Sequence, residues 1–174
     1  MHEIATIERY QGCMLLLVSL LAHPAAASPW STDLADLEPA FRGTVERVMA
    51  KLSARGFTPH VGTSWRSPEL QDLLFAIGKS TQLAGGRSCH NHVDAAGAPA
   101  ARAVDLWNAP VDLWLVAGAA ERLAAEAPFL RALGEVARAE GLRWGGDWHG
   151  HASAWDAYGL GWDPAHVEVR GCAG

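Results

Sequence analysis

Leu34, Leu37, Phe41, Val45, Val48 and Leu52 recur at three- and four-residue steps. That is the period of a helix with one buried stripe, and Gly56 supplies a stop. Residues 57–64 carry β-formers and read as a short strand. Ser67-Pro68-Glu69 is a helix start, with Ser67 as N-cap and Pro68 in the first turn. Leu70, Leu74 and Ile77 are the stripe this helix is expected to bury, and Gly78 ends it. Residues 79–102 are rich in Gly, Ser, Asn and Ala, a long loop of the kind that often carries function. Ala103-Val104-Asp105-Leu106-Trp107 is a second strand. Two further helices are expected over 111–126 and 129–140, with Pro128 near the start of the second and Gly141 after its end. Leu142-Arg143-Trp144 leads into a Gly- and Trp-rich loop, and 166–170 is the last strand.

Alternation along these strands sorts their side chains. Val104 and Leu106 take one face of the second strand and Asp105 the other. Val167 and Val169 take one face of the last strand, His166 and Glu168 the other. The simplest arrangement is an α+β fold: a small antiparallel sheet with helices on its aliphatic face and Asp105 and His166 sharing the opposite one. Taken alone, these two are either metal ligands or ordinary polar residues on a wet face. Ser88-Cys89-His90, in the long loop, adds a third group. Two imidazoles and one carboxylate make a plausible catalytic zinc set, three protein ligands with one position left open. No His-Glu-x-x-His helix is present, which excludes that type of metalloprotease.

Composition narrows the classes. The 174 residues, 49% hydrophobic, suit one globular domain. Fourteen Lys and Arg against nineteen Asp and Glu give −5, which argues against nucleic acid or an anionic membrane as a partner through bulk charge. Residues 14–22 form an apolar run too short to span a bilayer, and Ala25-Ala26-Ala27 follows. Together they read as a signal peptide over 1–27, cut after Ala27, so the mature chain is expected outside the cytoplasm, in the periplasm or extracellular, with no stable membrane insertion. Cys89 and Cys172 then remain, and in an oxidising compartment they either pair or persist as two separate buried thiols.

Four segments together resemble a known family. They are Gly62-Thr-Ser-Trp-Arg66-Ser67-Pro-Glu-Leu-Gln71; Ser88-Cys89-His90 followed by Ala103-Val104-Asp105-Leu106; Gly141-Leu142-Arg143-Trp144-Gly145-Gly146-Asp147-Trp148; and Asp163-Pro164-Ala165-His166-Val167-Glu168. In this order they are similar to the zinc D-alanyl-D-alanine carboxypeptidases and L-alanyl-D-glutamate endopeptidases, which include VanY-type enzymes and phage endolysins. Hedgehog-type domains share that general fold. The resemblance covers about residues 42–170, after a lead-in at 28–41 and before a tail at 171–174.

The resemblance implies zinc held by His90, Asp105 and His166, Asp163 as general base and Arg66 as the active-site arginine. Glu168 is the rival base. Ser88 is a candidate for binding substrate or orienting its loop, and Trp144 and Trp148 for walling the cleft or anchoring the core. The implied substrate is peptidoglycan stem peptides, the implied state a monomer. The Trp-Gly-Gly-Asp-Trp segment favours the endopeptidase. The rivals are the carboxypeptidase and an inactive zinc-containing wall-binding or signalling module. One departure is plain: Asp105 follows His90 by fifteen residues, much further than in the family. Residues 92–101 look inserted, which makes His92 and Asp94 rival ligands. Asp105 is preferred for its strand context.

Overall fold

The computed structural model describes residues 28–78, 80–82, 88–108 and 119–172. The expected signal peptide, and the first part of the helix expected over 111–126, lie outside the described residues. No helix among the described residues is long and apolar enough to cross a membrane.

Among the described residues, three helices and a four-stranded sheet make up the frame. Helix α1 is Pro39–Ala54, α2 is Pro68–Ala76 and α3 is Ala119–Ala139. Strands β1 (His60–Thr63), β2 (Ala103–Trp107), β3 (Arg143–Trp144) and β4 (His166–Glu168) form an antiparallel sheet in the order β1-β2-β4-β3. The fold class is the α+β arrangement expected from the alternating strands.

Helices α1 and α3 cover the aliphatic face. Val45, Val48 and Leu52 of α1 and Phe129, Leu130 and Leu133 of α3 are fully buried with Val104, Leu106 and Val167 of the sheet. Burying each such side chain contributes about 1.5–3 kcal/mol, so this layer dominates the stability. Phe57 and Phe129 meet edge to face, 5.6 Å between centroids.

Several elements differ from the hydrophobic pattern. The first helix does not run from Leu34: a short 3-10 turn, Leu34–Asp36, precedes it, and the chain is extended at Leu37 and Glu38. Pro39 explains the break, since it disfavours a helical conformation at the residue before it. Leu37 is buried all the same, bridged to Ala101. The two helices expected around Pro128 are one, and Pro128 lies inside α3 on its exposed side. A proline there costs about 3 kcal/mol relative to alanine, and the continuous buried stripe of α3 outweighs it. Helix α2 is capped as expected, Ser67 accepting from the Leu70 N–H at 3.2 Å. Its buried residue is Gln71, however, while Leu73, Phe75 and Ile77 are exposed. This helix borders the cleft rather than the core.

The lead-in is part of the fold. Ser31 pairs with Ser64 and Trp65 through backbone bonds of 2.7 and 2.8 Å, and the Ser67 N–H donates to the Pro29 carbonyl.

Candidate metal centre and its cleft

The sheet register builds the site. Asp105 on β2 is paired with His166 on β4, and both point away from the helix layer. His90 comes from a 3-10 turn, Cys89–Asn91, stitched to the segment after β1. The Arg66 N–H donates to the His90 carbonyl at 3.0 Å, and Asn91 Nδ2 donates to the Arg66 carbonyl at 2.6 Å. This zipper fixes His90 and Arg66 relative to one another.

Three donor atoms converge. His90 Nε2 lies 3.2 Å from His166 Nδ1 and 3.4 Å from Asp105 Oδ1, and His166 Nδ1 lies 3.2 Å from Asp105 Oδ1. All three side chains are largely buried, at 4%, 8% and 17% exposure for His90, His166 and Asp105. A tetrahedral ion with bonds near 2.1 Å sets its ligands about 3.4 Å apart. The triangle therefore has the dimensions such an ion needs, and the donor set can hold a divalent metal.

The far side of each imidazole orients its donor. His90 Nδ1 is 2.9 Å from the Ser64 carbonyl, which can only accept, so Nδ1 carries the proton and Nε2 offers the lone pair. His166 Nε2 is 3.1 Å from Glu168 Oε2, and Arg143 Nη1 meets Glu168 Oε1 at 2.7 Å. With Nε2–H given to Glu168, Nδ1 faces the centre. This is the outer hydrogen bonding that ligand histidines use to fix their tautomer.

The electrostatics are strongly coupled. Burial works against the Asp105 carboxylate, but His90 and His166 beside it hold it well below the usual range. Burial likewise opposes charge on His166, yet hydrogen bonds to Asp105 and Glu168 push it up to about 10. Burial raises Asp163 to about 6, with repulsion from Asp105 adding to it and the charges of His166, His90 and Arg66 pulling the other way.

Asp163 sits in the turn before β4. Its carbonyl accepts from the His166 N–H at 3.1 Å, and its Oδ2 comes back to 4.0 Å from His166 Nδ1, beside the triangle. Arg66 lies on the other flank, Nη2 3.6 Å from Asp105 Oδ2 and Nη1 donating to Gln71 Oε1 at 2.8 Å.

A cavity of about 490 Å³ opens over the triangle and takes in Arg66, Ser88, Arg143, Trp148, Trp162 and Asp163. The two tryptophans of the Gly-rich loop divide their duties. Trp144 is 5% exposed and donates to the Pro164 carbonyl at 2.7 Å, so it anchors the Asp163 turn from the core. Trp148 faces the cleft, its ring 5.1 Å from that of His166. Gly145 lets the loop lie against the Asp163 turn, because a Cβ there would run into the Asp163 carbonyl oxygen.

Ser88 is buried and donates to Gln71 Oε1 at 3.3 Å. The inserted stretch folds outward: Asp94 Oδ1 accepts from the N–H groups of Ala96 and Ala98, Gly97 adopts φ 84°, and Val93 bridges Pro99. Arg102 N–H closes its neck on the Cys89 carbonyl at 2.8 Å. Asp94 is thereby used up in a local turn, and His92 lies against Cys172, with Nε2 3.4 Å from Sγ. Neither rival ligand joins the triangle. Cys89 and Cys172 form a disulfide, with Cα atoms 5.9 Å apart, that ties the His90 turn to the chain just after β4.

Gln71 and Glu168 are the residues whose parts the sequence reading missed. Gln71 is 1% exposed; it accepts from Arg66 and Ser88 and donates to Ser80 Oγ and the Gln82 carbonyl. Its signal was a polar residue one helical turn after the N-cap, on the Arg66 side of α2. The signal for Glu168 was its position two residues after His166 on the same strand face. His149 and His151 are exposed on the cleft rim.

No protein-family model matches the chain, and no curated protein does. Among solved structures it is similar to the L-Ala D-Glu endopeptidase ChiX of Serratia marcescens, with a TM-score of 0.46 and 21% identity over 86% of this chain and 92% of that one.

Proposed function

We propose that this protein is a zinc-dependent peptidase of peptidoglycan stem peptides that cuts between L-alanine and D-glutamate. The observation that carries the reading is the triangle of His90, Asp105 and His166 with a carboxylate, Asp163, and a guanidinium, Arg66, on its rim. Zinc suits two imidazoles and one carboxylate, and when bound there it would polarise the scissile carbonyl and acidify a water. Asp163 takes a proton from the attacking water and hands it to the leaving amine. A carboxyl raised to about 6 suits a group that must both accept and return a proton near neutral pH. Arg66, locked by Gln71, stabilises the oxygen on which negative charge develops. Ser88 and Trp148 line the bound peptide, the serine at the cleft wall and the indole beside His166.

The preference for the L-alanyl-D-glutamate bond rests on the Trp144-Gly145-Gly146-Asp147-Trp148 segment. Export as a monomer is part of the same reading. The export is supported by the apolar run and small residues before Ser28, and by the paired cysteines.

Digestion of purified muropeptides tests it. The expected products are stem peptides beginning with D-glutamate, their release stopped by a chelator and restored by zinc. Free D-alanine as the product would replace the endopeptidase with a carboxypeptidase. No release of either would remove the peptidase reading.

A further inference from the structure

Arg143 takes no part in the chemistry above, yet it stands in the cleft. Its register partner on β4 is Glu168, which puts it on the same sheet face as Asp105 and His166. It is fixed from two sides: the ion pair to Glu168 at 2.7 Å, and the Trp148 ring, 5.3 Å from the guanidinium carbon to the centroid. Even so, the side chain keeps 37% exposure and lines the cavity.

Glu168 does not compete for what Arg143 still has to offer. It is 4% exposed, and its two oxygens face Arg143 and His166. Among the described residues, Glu168 is the one ion-pair partner of Arg143. A planar fork with five N–H donors has several left for a second anion. Because ring and ion pair already hold the side chain, binding an anion loses little rotamer entropy. Arg66 follows β1 and Arg143 lies on β3, the two outer strands, so two cations flank the triangle from opposite edges of the sheet.

We propose that Arg143 is a specificity-determining residue that binds the carboxylate of an acidic residue in the substrate peptide. Glu168 links it directly to His166, which places that residue close to the bond cut. This rests on the stem-peptide reading and narrows it: the preferred substrates carry a free glutamyl carboxylate rather than its carboxamide.

The test is equilibrium binding of two soluble stem peptides, identical except for glutamyl carboxylate or carboxamide, to zinc-loaded Asp163→Asn protein. The carboxylate peptide is expected to bind about tenfold more tightly, the scale of one charge-assisted hydrogen bond. Arg143→Gln on that background should bring its affinity down to that of the carboxamide peptide, while Arg143→Lys keeps part of the preference. The carboxamide peptide is the internal control, because a merely structural role for Arg143 weakens both peptides together. Zinc content of each variant is measured alongside. Equal affinity for the two peptides, a preference that survives Arg143→Gln, parallel loss of both, or no binding of either overturns the inference. Turnover of muropeptides by the intact protein is scored separately. A carboxylate preference without turnover removes the peptidase and keeps the anion site; turnover without the preference does the reverse.

Discussion

Besides Asp105, two carboxylates stand beside His166, and the backbone gives them opposite duties. Glu168 lies two residues on along β4 and reaches the far nitrogen of the ring, whereas Asp163 is turned back toward the near one. Glu168→Gln should therefore weaken zinc binding about 10- to 100-fold, the usual effect of losing an outer partner of a ligand histidine. Asp163→Asn should leave zinc bound and lower turnover by about 10²–10⁴. Metal titration and muropeptide kinetics on both variants separate the two roles, and the opposite pattern would exchange them. From sequence, Asp105 and His166 were readable because strand alternation puts them on one face. His90 was readable as a candidate third ligand from its chemistry and its long loop, and the family likeness strengthened it, since a loop histidine fifteen residues from Asp105 has no periodicity to place it. Gln71 was readable only as a helix residue that either lines the cleft or faces solvent: its importance comes from Ser80, Gln82, Ser88 and Arg66 closing around it, contacts between separate segments.

At the level of elements, the Gly145–Asp163 contact governs the base. Gly145→Ala would press on the Asp163 carbonyl, so the turn before β4 should shift and turnover fall, while zinc content changes little. Kinetics with parallel metal analysis checks this; unchanged turnover would mean the turn relaxes freely. Helix α3 offers an independent check on the packing argument. Pro128 is exposed within it, so Pro128→Ala should raise stability by up to about 3 kcal/mol in denaturant unfolding. The hydrophobic pattern predicted a break there because proline chemistry is local, while the stripe that overrides it is a tertiary effect. The same contrast explains β3: two residues, Arg143 and Trp144, are too short to alternate and become a strand only by pairing with β4.

Across the whole molecule, stability and site geometry share the same sheet. Glu126 is buried near its floor, accepting the Asn108 N–H at 3.0 Å, and burial raises its pKa against the pull of that bond and of His60. A raised acid favours the folded state while protonated, so its contribution is lost as pH rises from the unfolded value through the folded one. Glu126→Gln should accordingly raise Tm at pH 7 relative to the parent and lose that advantage near pH 4, by thermal unfolding at both. The α+β class was legible because two short strands alternate clearly and the helical stripes are long. What was not legible is how α2 turns its apolar residues outward to wall a cleft, since periodicity reports a face but not what covers it. The account as a whole stands on the triangle of His90, Asp105 and His166. Its most direct test is zinc titration of the purified protein by calorimetry, beside the His90→Ala variant. One equivalent bound by the parent and weakened at least about 100-fold in the variant is the predicted result; no binding by the parent, or equal binding by both, would contradict it.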